Sequence, residues 1–210
     1  GKYKIATGAE ECASCQPGKY GFATGATTEV AGCSDCPAGR YGSGTASPSL
    51  ESCVLCAAGK YCEAGSSENT LLCHAGYQGV IGETNPQCTE SCPAGFYCVN
   101  GTAVGSALLC GSHSTCTGST FICYCPLGSI QPLQALPGQY TYGGPVGTSN
   151  KMTAVESCSP GSYCENGVRT LCPAGTYCVS SSMLRPGPLC TAGFFCPPGS
   201  TSRQQQPCSD

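Results

Sequence analysis

Cys56-Ala57-Ala58-Gly59-Lys60-Tyr61-Cys62 is the fullest copy of a pattern that runs through this chain. Toward the N-terminus, Cys-x-x-Gly-x-Tyr recurs at Cys36, Gly39 and Tyr41, and at Cys15, Gly18 and Tyr20. Toward the C-terminus it returns at Cys92-Gly95-Tyr97, Cys172-Gly175-Tyr177 and, with Phe, Cys190-Gly193-Phe195. Looser copies lie at Cys73-Gly76-Tyr77 and at Ser159-Pro160-Gly161 before Tyr163. Self-similarity at a period near 20 residues means small supersecondary units that cannot bury enough surface alone and pack on their neighbours. Each unit reads as a tight turn followed by a short strand. Gly supplies the turn, and Pro, as in Cys36-Pro37-Ala38-Gly39, presets the backbone before it. The tyrosine is expected to lie against a disulfide and add apolar area.

Two sub-types divide the chain. Residues 1–56 place Cys-x-x-Cys before each unit, at Cys12/Cys15, Cys33/Cys36 and Cys53/Cys56. Residues 57–125 and 158–210 follow a Cys-x5-Cys form, as in Cys92/Cys98, Cys158/Cys164, Cys172/Cys178 and Cys190/Cys196. Residues 126–157 hold no cysteine and read as a degenerate repeat or extended loop, with Leu136-Pro137-Gly138-Gln139-Tyr140 as a unit that has lost its Cys. Helical periodicity is absent, with at most a turn expected near Ser106–Leu109 or Ser181–Leu184. Gly1-Lys2-Tyr3 repeats Gly59-Lys60-Tyr61, and Cys208-Ser209-Asp210 repeats Cys33-Ser34-Asp35, so the chain reads as one stretch of a longer array.

Composition supports the same class. The chain carries 22 cysteines in 210 residues, a density that belongs to an oxidising, extracellular setting. Leu, Ile, Val and Phe together number 30, too few for one continuous core in a chain of this length. Charged residues are only 10%, which argues against a disordered polyelectrolyte. Cross-links are the remaining source of order. The fold class expected is therefore small disulfide-rich repeats, forming an elongated rod of short β-hairpins and turns with almost no helix. The nine Lys and Arg are scattered, so neither nucleic acid nor an anionic membrane is an expected partner. No apolar stretch is long enough for a membrane span, and Gly1-Lys2-Tyr3-Lys4 is not a signal peptide.

Zinc is the rival explanation of the cysteines, since Cys12-x2-Cys15-x17-Cys33-x2-Cys36 has zinc-ribbon spacing. It leaves most of the other cysteines unexplained, so no metal or other cofactor is expected. Sequence does not fix disulfide connectivity. Local closure is the expected scheme: Cys15–Cys33, Cys36–Cys53, Cys62–Cys73, Cys98–Cys110, Cys178–Cys190 and Cys196–Cys208. Catalysis is not expected: His74 and His113 stand outside any motif, and Cys116, Cys123 and Cys125 have no neighbouring base. The Glu10-Glu11 pair reads as a solvated turn and not a calcium cage. Asn100-Gly101-Thr102 is an N-glycosylation acceptor in a Gly-rich loop.

The Cys-Pro-Ala-Gly units, at Cys36, Cys92 and Cys172, resemble ephrin-receptor-like cysteine-rich repeats, which belong with the EGF-like and TNF-receptor-like modules. The resemblance covers nearly the whole chain outside 126–157 and speaks to architecture. It implies a disulfide-stapled extracellular repeat, and such arrays serve in receptors, adhesion proteins and surface fibres. The small polar loops also resemble those of protist and algal surface proteins and flagellar hairs. Two functions follow as expectations. The preferred one is a structural part of a filament, hair or surface coat, with other copies of the chain or neighbouring repeats as partners. The other is a ligand-binding or adhesion ectodomain, with Tyr140 and Tyr142 as the contact loop.

Overall fold

In the computed structural model, which describes residues 1–116, 122–144 and 151–208, a tight turn opens each repeat. Gly39 shows why the sequence demands it. Its φ is +83°, the third position of a type II turn closed by the Arg40 N–H on Pro37 O at 3.0 Å. A Cβ there would also lie 2.4 Å from the Gly82 carbonyl oxygen. Conformation and close approach both exclude any other residue. The same closure recurs from Lys19 N–H on Gln16 O through Phe194 N–H on Thr191 O. In the 126–157 segment, Gln139 N–H closes the turn on Leu136 O, with Gly138 at φ +82°.

After each turn the chain forms one arm of a short antiparallel hairpin. Two compact regions result, one of Gly1–Cys92 and Cys98–Ala107, the other of Pro93–Tyr97 and Leu108–Asp210. In the first, Lys2–Tyr3 pairs with Ala13–Ser14, Lys19–Gly21 with Cys33–Asp35, Arg40–Tyr41 with Val54–Leu55, and Tyr77–Gln78 with Glu90–Ser91. Lys60 and Leu72 form a bridge where a further hairpin shrinks to one pair. In the second, Phe96–Tyr97 pairs with Leu108–Leu109, Cys123–Tyr124 with Leu133–Gln134, and Phe194–Phe195 with Gln206–Pro207. Its longest hairpins are Gln139–Tyr142 with Ala154–Ser157 and Ser162–Glu165 with Val168–Leu171. Among the described residues helix is confined to Glu29–Gly32, capped by the Ala31 N–H on Thr28 Oγ1, and to short 3-10 turns such as Leu50–Ser52. Neither Ser106–Leu109 nor Ser181–Leu184 is helical; Leu108–Leu109 is an arm of a hairpin instead.

Consecutive repeats are joined by backbone bonds at the same four places. The leading cysteine N–H donates to the previous turn glycine, as in Cys36 to Gly18 O and Cys56 to Gly39 O. The turn glycine N–H donates to the residue six past the next leading cysteine, as in Gly39 to Cys62 O. That sixth residue donates onward, as Cys62 N–H does to Glu83 O. The leading cysteine carbonyl accepts from the following repeat, as Cys36 O does from Gly65 N–H. The set recurs at Cys172 N–H to Gly161 O, Gly161 N–H to Cys178 O, Cys178 N–H to Ser200 O and Gly199 N–H to Cys172 O.

The interior is sulfur and glycine backbone. The buried apolar side chains are cysteines, Tyr97 and Pro132, whereas among the described residues no Leu, Ile, Val or Phe is buried. Ten disulfides hold it. Two of the expected pairs are present, Cys15–Cys33 and Cys36–Cys53. The other four are corrected. Cys62 bonds Cys56, Cys98 bonds Cys92, Cys178 bonds Cys172, and both Cys190 and Cys196 are used in one bridge to each other. Cys73 bonds Cys88 and Cys110 bonds Cys125, around an inner Cys116–Cys123 bridge. Cys208, expected on Cys196, is an exposed free thiol, as is Cys12. The reason is geometric: the turn brings the sixth residue after the leading cysteine back beside it, so a cysteine there is captured first, with Cα atoms 5.8 Å apart in Cys158–Cys164.

Candidate functional site

The two four-residue hairpins at 139–171 gather the most polar and aromatic chemistry of the second region. In the register of Gln139–Tyr142 on Ala154–Ser157, Tyr140 stands directly opposite Glu156, and its hydroxyl donates to Glu156 Oε2 at 2.8 Å. Arg169, from the neighbouring hairpin, lies with its guanidinium carbon 5.7 Å from the centre of the Tyr140 ring. Arg169 is itself held, Nη2 donating to Ser159 Oγ at 2.9 Å and Nε to Ser162 Oγ at 3.2 Å. Tyr142 is tilted against Tyr140, centroids 5.9 Å apart, and is 45% exposed. The hairpins meet through Thr141 N–H on Gly167 O at 3.0 Å. The Glu156 carboxylate holds the Tyr140 phenol above its ordinary pKa by accepting its hydrogen bond; desolvation and the Glu156 charge add to this, and Arg169 opposes it.

Beside this cluster the ladder of backbone bonds is incomplete. Gly161 and Gly175 donate to Cys178 O and Cys196 O, but Gly138 makes no such bond among the described residues. A cleft of about 350 Å³ opens there, walled by Leu136, Pro137, Gly138, Asn166 and Leu184, with Glu165 and Arg185 on its lining. Sequence reasoning singled out Tyr140 and Tyr142, but not Glu156, Arg169 or the cleft, because all three depend on hairpin register. Residues 145–150 of the 126–157 segment lie outside the described residues, as do Ser209 and Asp210.

Asn100 stands on an exposed turn, its Oδ1 accepting the Ala75 N–H at 2.7 Å, while Thr102 is buried and donates to Val99 O at 2.7 Å. Cys15 and Cys36 of the zinc-ribbon pattern are bridged to Cys33 and Cys53, which leaves no thiolate quartet there. Among the described residues no group of three or more His, Cys, Asp or Glu is arranged to hold a metal ion. His113 is a structural ring, edge-on to Tyr97 at 5.5 Å and bonded through Nδ1 to Thr115 Oγ1 at 2.8 Å. Glu83, which the sequence does not mark, is buried and accepts from the Val80 and Thr89 amides at 3.1 and 3.0 Å and from the Thr89 hydroxyl. No helix among the described residues is long and apolar enough to cross a membrane.

The fold and these sites define a class: small disulfide-rich hairpin repeats, stapled by ten bridges that form in an oxidising compartment. The sequence matches no protein-family model and no curated protein.

Proposed function

We propose that this chain is a non-catalytic structural component of an extracellular filament, hair or surface coat. The observation that carries the reading is the four-bond ladder: most repeats spend backbone groups on the next at the same positions, with the rung at Gly138 left open, around disulfide bridges. Repeats joined mainly to their neighbours suit a load carried along the chain. A contact of this head-to-tail kind between copies does not close on itself and so propagates. Other copies of the chain are the proposed partners, with a glycan on Asn100. Electron microscopy of the native, non-reduced protein at micromolar concentration tests the proposal. Filaments with an axial repeat built from this chain are expected. Separate, unassociated particles under those conditions would refute it.

A second reading, an adhesion or ligand-binding ectodomain, is favoured by the Tyr140–Tyr142 pair beside the cleft at Gly138. It predicts that Tyr142→Ala abolishes attachment of cells to the immobilised chain, an effect a filament protein has no reason to show.

A further inference from the structure

We propose that the cleft at Gly138 binds the acetamido group of an N-acetylhexosamine. The inference rests on the second reading above, a ligand-binding ectodomain, and names the class of its ligand.

The site begins with the open rung. Elsewhere the turn glycine N–H donates to the carbonyl of the residue six past the next leading cysteine. Gly39 reaches Cys62 O at 2.8 Å, Gly161 reaches Cys178 O at 2.8 Å, and Gly175 reaches Cys196 O at 2.9 Å. For Gly138 the corresponding residue is Cys164, six past Cys158. Both residues are buried and both wall the cleft, but among the described residues the bond between them is not made.

Hairpin register shows where the Cys164 carbonyl goes. Cys172 N–H donates to Gly161 O at 2.9 Å, so Gly161 and Cys172 are a hydrogen-bonded pair. Cys164 and Arg169 stand three pairs further along and therefore do not bond each other. The Cys164 N–H turns away from Arg169 and donates to Met183 O at 2.7 Å. In an antiparallel strand the carbonyl of a residue points to the same side as its N–H. The cleft thus presents a donor from Gly138 and an acceptor from Cys164, facing each other as they do in the closed rungs.

A secondary amide is the group that spans such a gap. Its C=O and N–H point in opposite directions, so it accepts from Gly138 and donates to Cys164 as one link in a continuous chain. An extended peptide would need further rungs, and the backbone beside this one is already spent. Cys158 N–H is on Gly138 O, Gln139 N–H is on Leu136 O, and Ser182 N–H is on Cys158 O. One isolated amide is what fits.

The remaining walls choose its substituents. Leu136 and Leu184 offer apolar surface to a methyl group, while Glu165, Asn166 and Arg185 offer polar groups to hydroxyls. One carboxylate and one guanidinium leave the lining without net charge, which matches a neutral ligand. The volume of about 350 Å³ lies near the lower end of the roughly 300–1,000 Å³ typical of ligand clefts, the size for a single sugar.

The test titrates the whole, disulfide-intact chain, labelled with nitrogen-15, and follows its amides by NMR. N-acetylglucosamine or N-acetylgalactosamine is expected to shift the Gly138 amide saturably, and comparing them tells which hexosamine is preferred. A Kd on the order of 1 mM is expected, as about fifteen non-hydrogen atoms support at ordinary ligand efficiency. Glucose, which lacks the amide, is expected to leave Gly138 unmoved. Leu136→Arg, a change at an exposed side chain on the cleft wall, is expected to abolish the sugar-induced shift while amides remote from the cleft keep their positions. No shift of Gly138 with either acetamido sugar, an equal shift with glucose, or undiminished binding in Leu136→Arg would each overturn the proposal. Tighter binding of a blocked dipeptide than of either sugar would overturn it in favour of a peptide. Cell attachment separates this from the parent reading: attachment that Tyr142→Ala abolishes but free acetamido sugar does not inhibit sinks the sugar alone, whereas neither attachment nor sugar binding sinks both.

Discussion

A Cβ on Gly42 would lie 3.1 Å from the sulfur of Cys36, and this places Gly42 where Cys62 stands relative to Cys56. Where a Cys-x-x-Gly turn follows, the sixth residue after a leading cysteine thereby selects its partner; Cys110, which no such turn follows, bonds Cys125 although Cys116 is its sixth residue. Where that residue is cysteine, as at Cys62, Cys98, Cys164, Cys178 and Cys196, the bridge closes locally. Where it is glycine, as at Gly21, Gly42 and Gly79, the leading sulfur bonds to the cysteine ahead of the next repeat.

Gly42→Cys is therefore expected to redirect Cys36. The introduced thiol should capture Cys36 as Cys62 captures Cys56, leaving Cys53 free. Alkylation of the non-reduced protein and peptide mapping read the outcome directly. Retention of Cys36–Cys53 would show that the partner is chosen by something other than the sixth residue.

Turn glycines should divide into two classes of cost. Gly39→Ala combines a left-handed backbone with a Cβ 2.4 Å from Gly82 O and should lose about 3 kcal/mol or more. Gly25→Ala has a similar φ of +71° but open space around the added methyl, and should lose only about 1 kcal/mol. Denaturant unfolding with bridges intact measures both, and equal costs would contradict the role given to close approach.

Removing the buried carboxylate of Glu83 leaves the Val80 and Thr89 amides without their acceptor. Glu83→Ala is expected to cost about 2 kcal/mol or more, and Glu83→Gln, which keeps an acceptor oxygen, less. Hydrogen exchange at the Val80 and Thr89 amides should report the loss before global unfolding does.

Tyr140 gives the chain a pH-dependent contact at the alkaline end. Its pKa is raised in the fold, chiefly by donation to Glu156, so its contribution is complete below the phenol's ordinary value and is lost as pH rises through the raised one. Subtracting the ultraviolet titration of Tyr140→Phe from that of the wild type isolates this residue. It should ionise above the ordinary value of about 10, and Glu156→Gln should bring it down. A titration at or below that value in the wild type would contradict the contact.

Glycosylation at Asn100 is compatible with its hydrogen bond, because Oδ1 holds the Ala75 amide and leaves Nδ2 for the sugar. Secreted from a eukaryotic host, the chain should lose one glycosidase-sensitive mass increment in both Asn100→Gln and Thr102→Ala. No difference between wild type and variants would remove the glycan from the proposal.

Much of the fold was legible in the residues. The Cys-x-x-Gly pattern carries its own turn, since only glycine accepts that φ, and hairpins and scarce helix follow from short strands between turns. Even the local bridges are written in Cys-x5-Cys, because the turn returns the second cysteine to the first. The Cys125-Pro126-Leu127-Gly128 copy lacks the tyrosine that marks the others, yet Ser129 N–H closes its turn on Pro126 O. Glu83 could not be found this way, because one carboxylate among solvent-facing ones carries no pattern until folding surrounds it with donors.

The sequence by itself determined the module: where each turn falls, why glycine occupies it, and that sulfur must replace a hydrophobic interior. Tertiary structure decided which groups meet. Arg169 reaches the Tyr140 ring, and Gly138 leaves its rung open to form a cleft, only because adjoining hairpins take a particular register. Register between repeats depends on backbone bonds that every residue type but proline can donate, so no side-chain pattern encodes it locally.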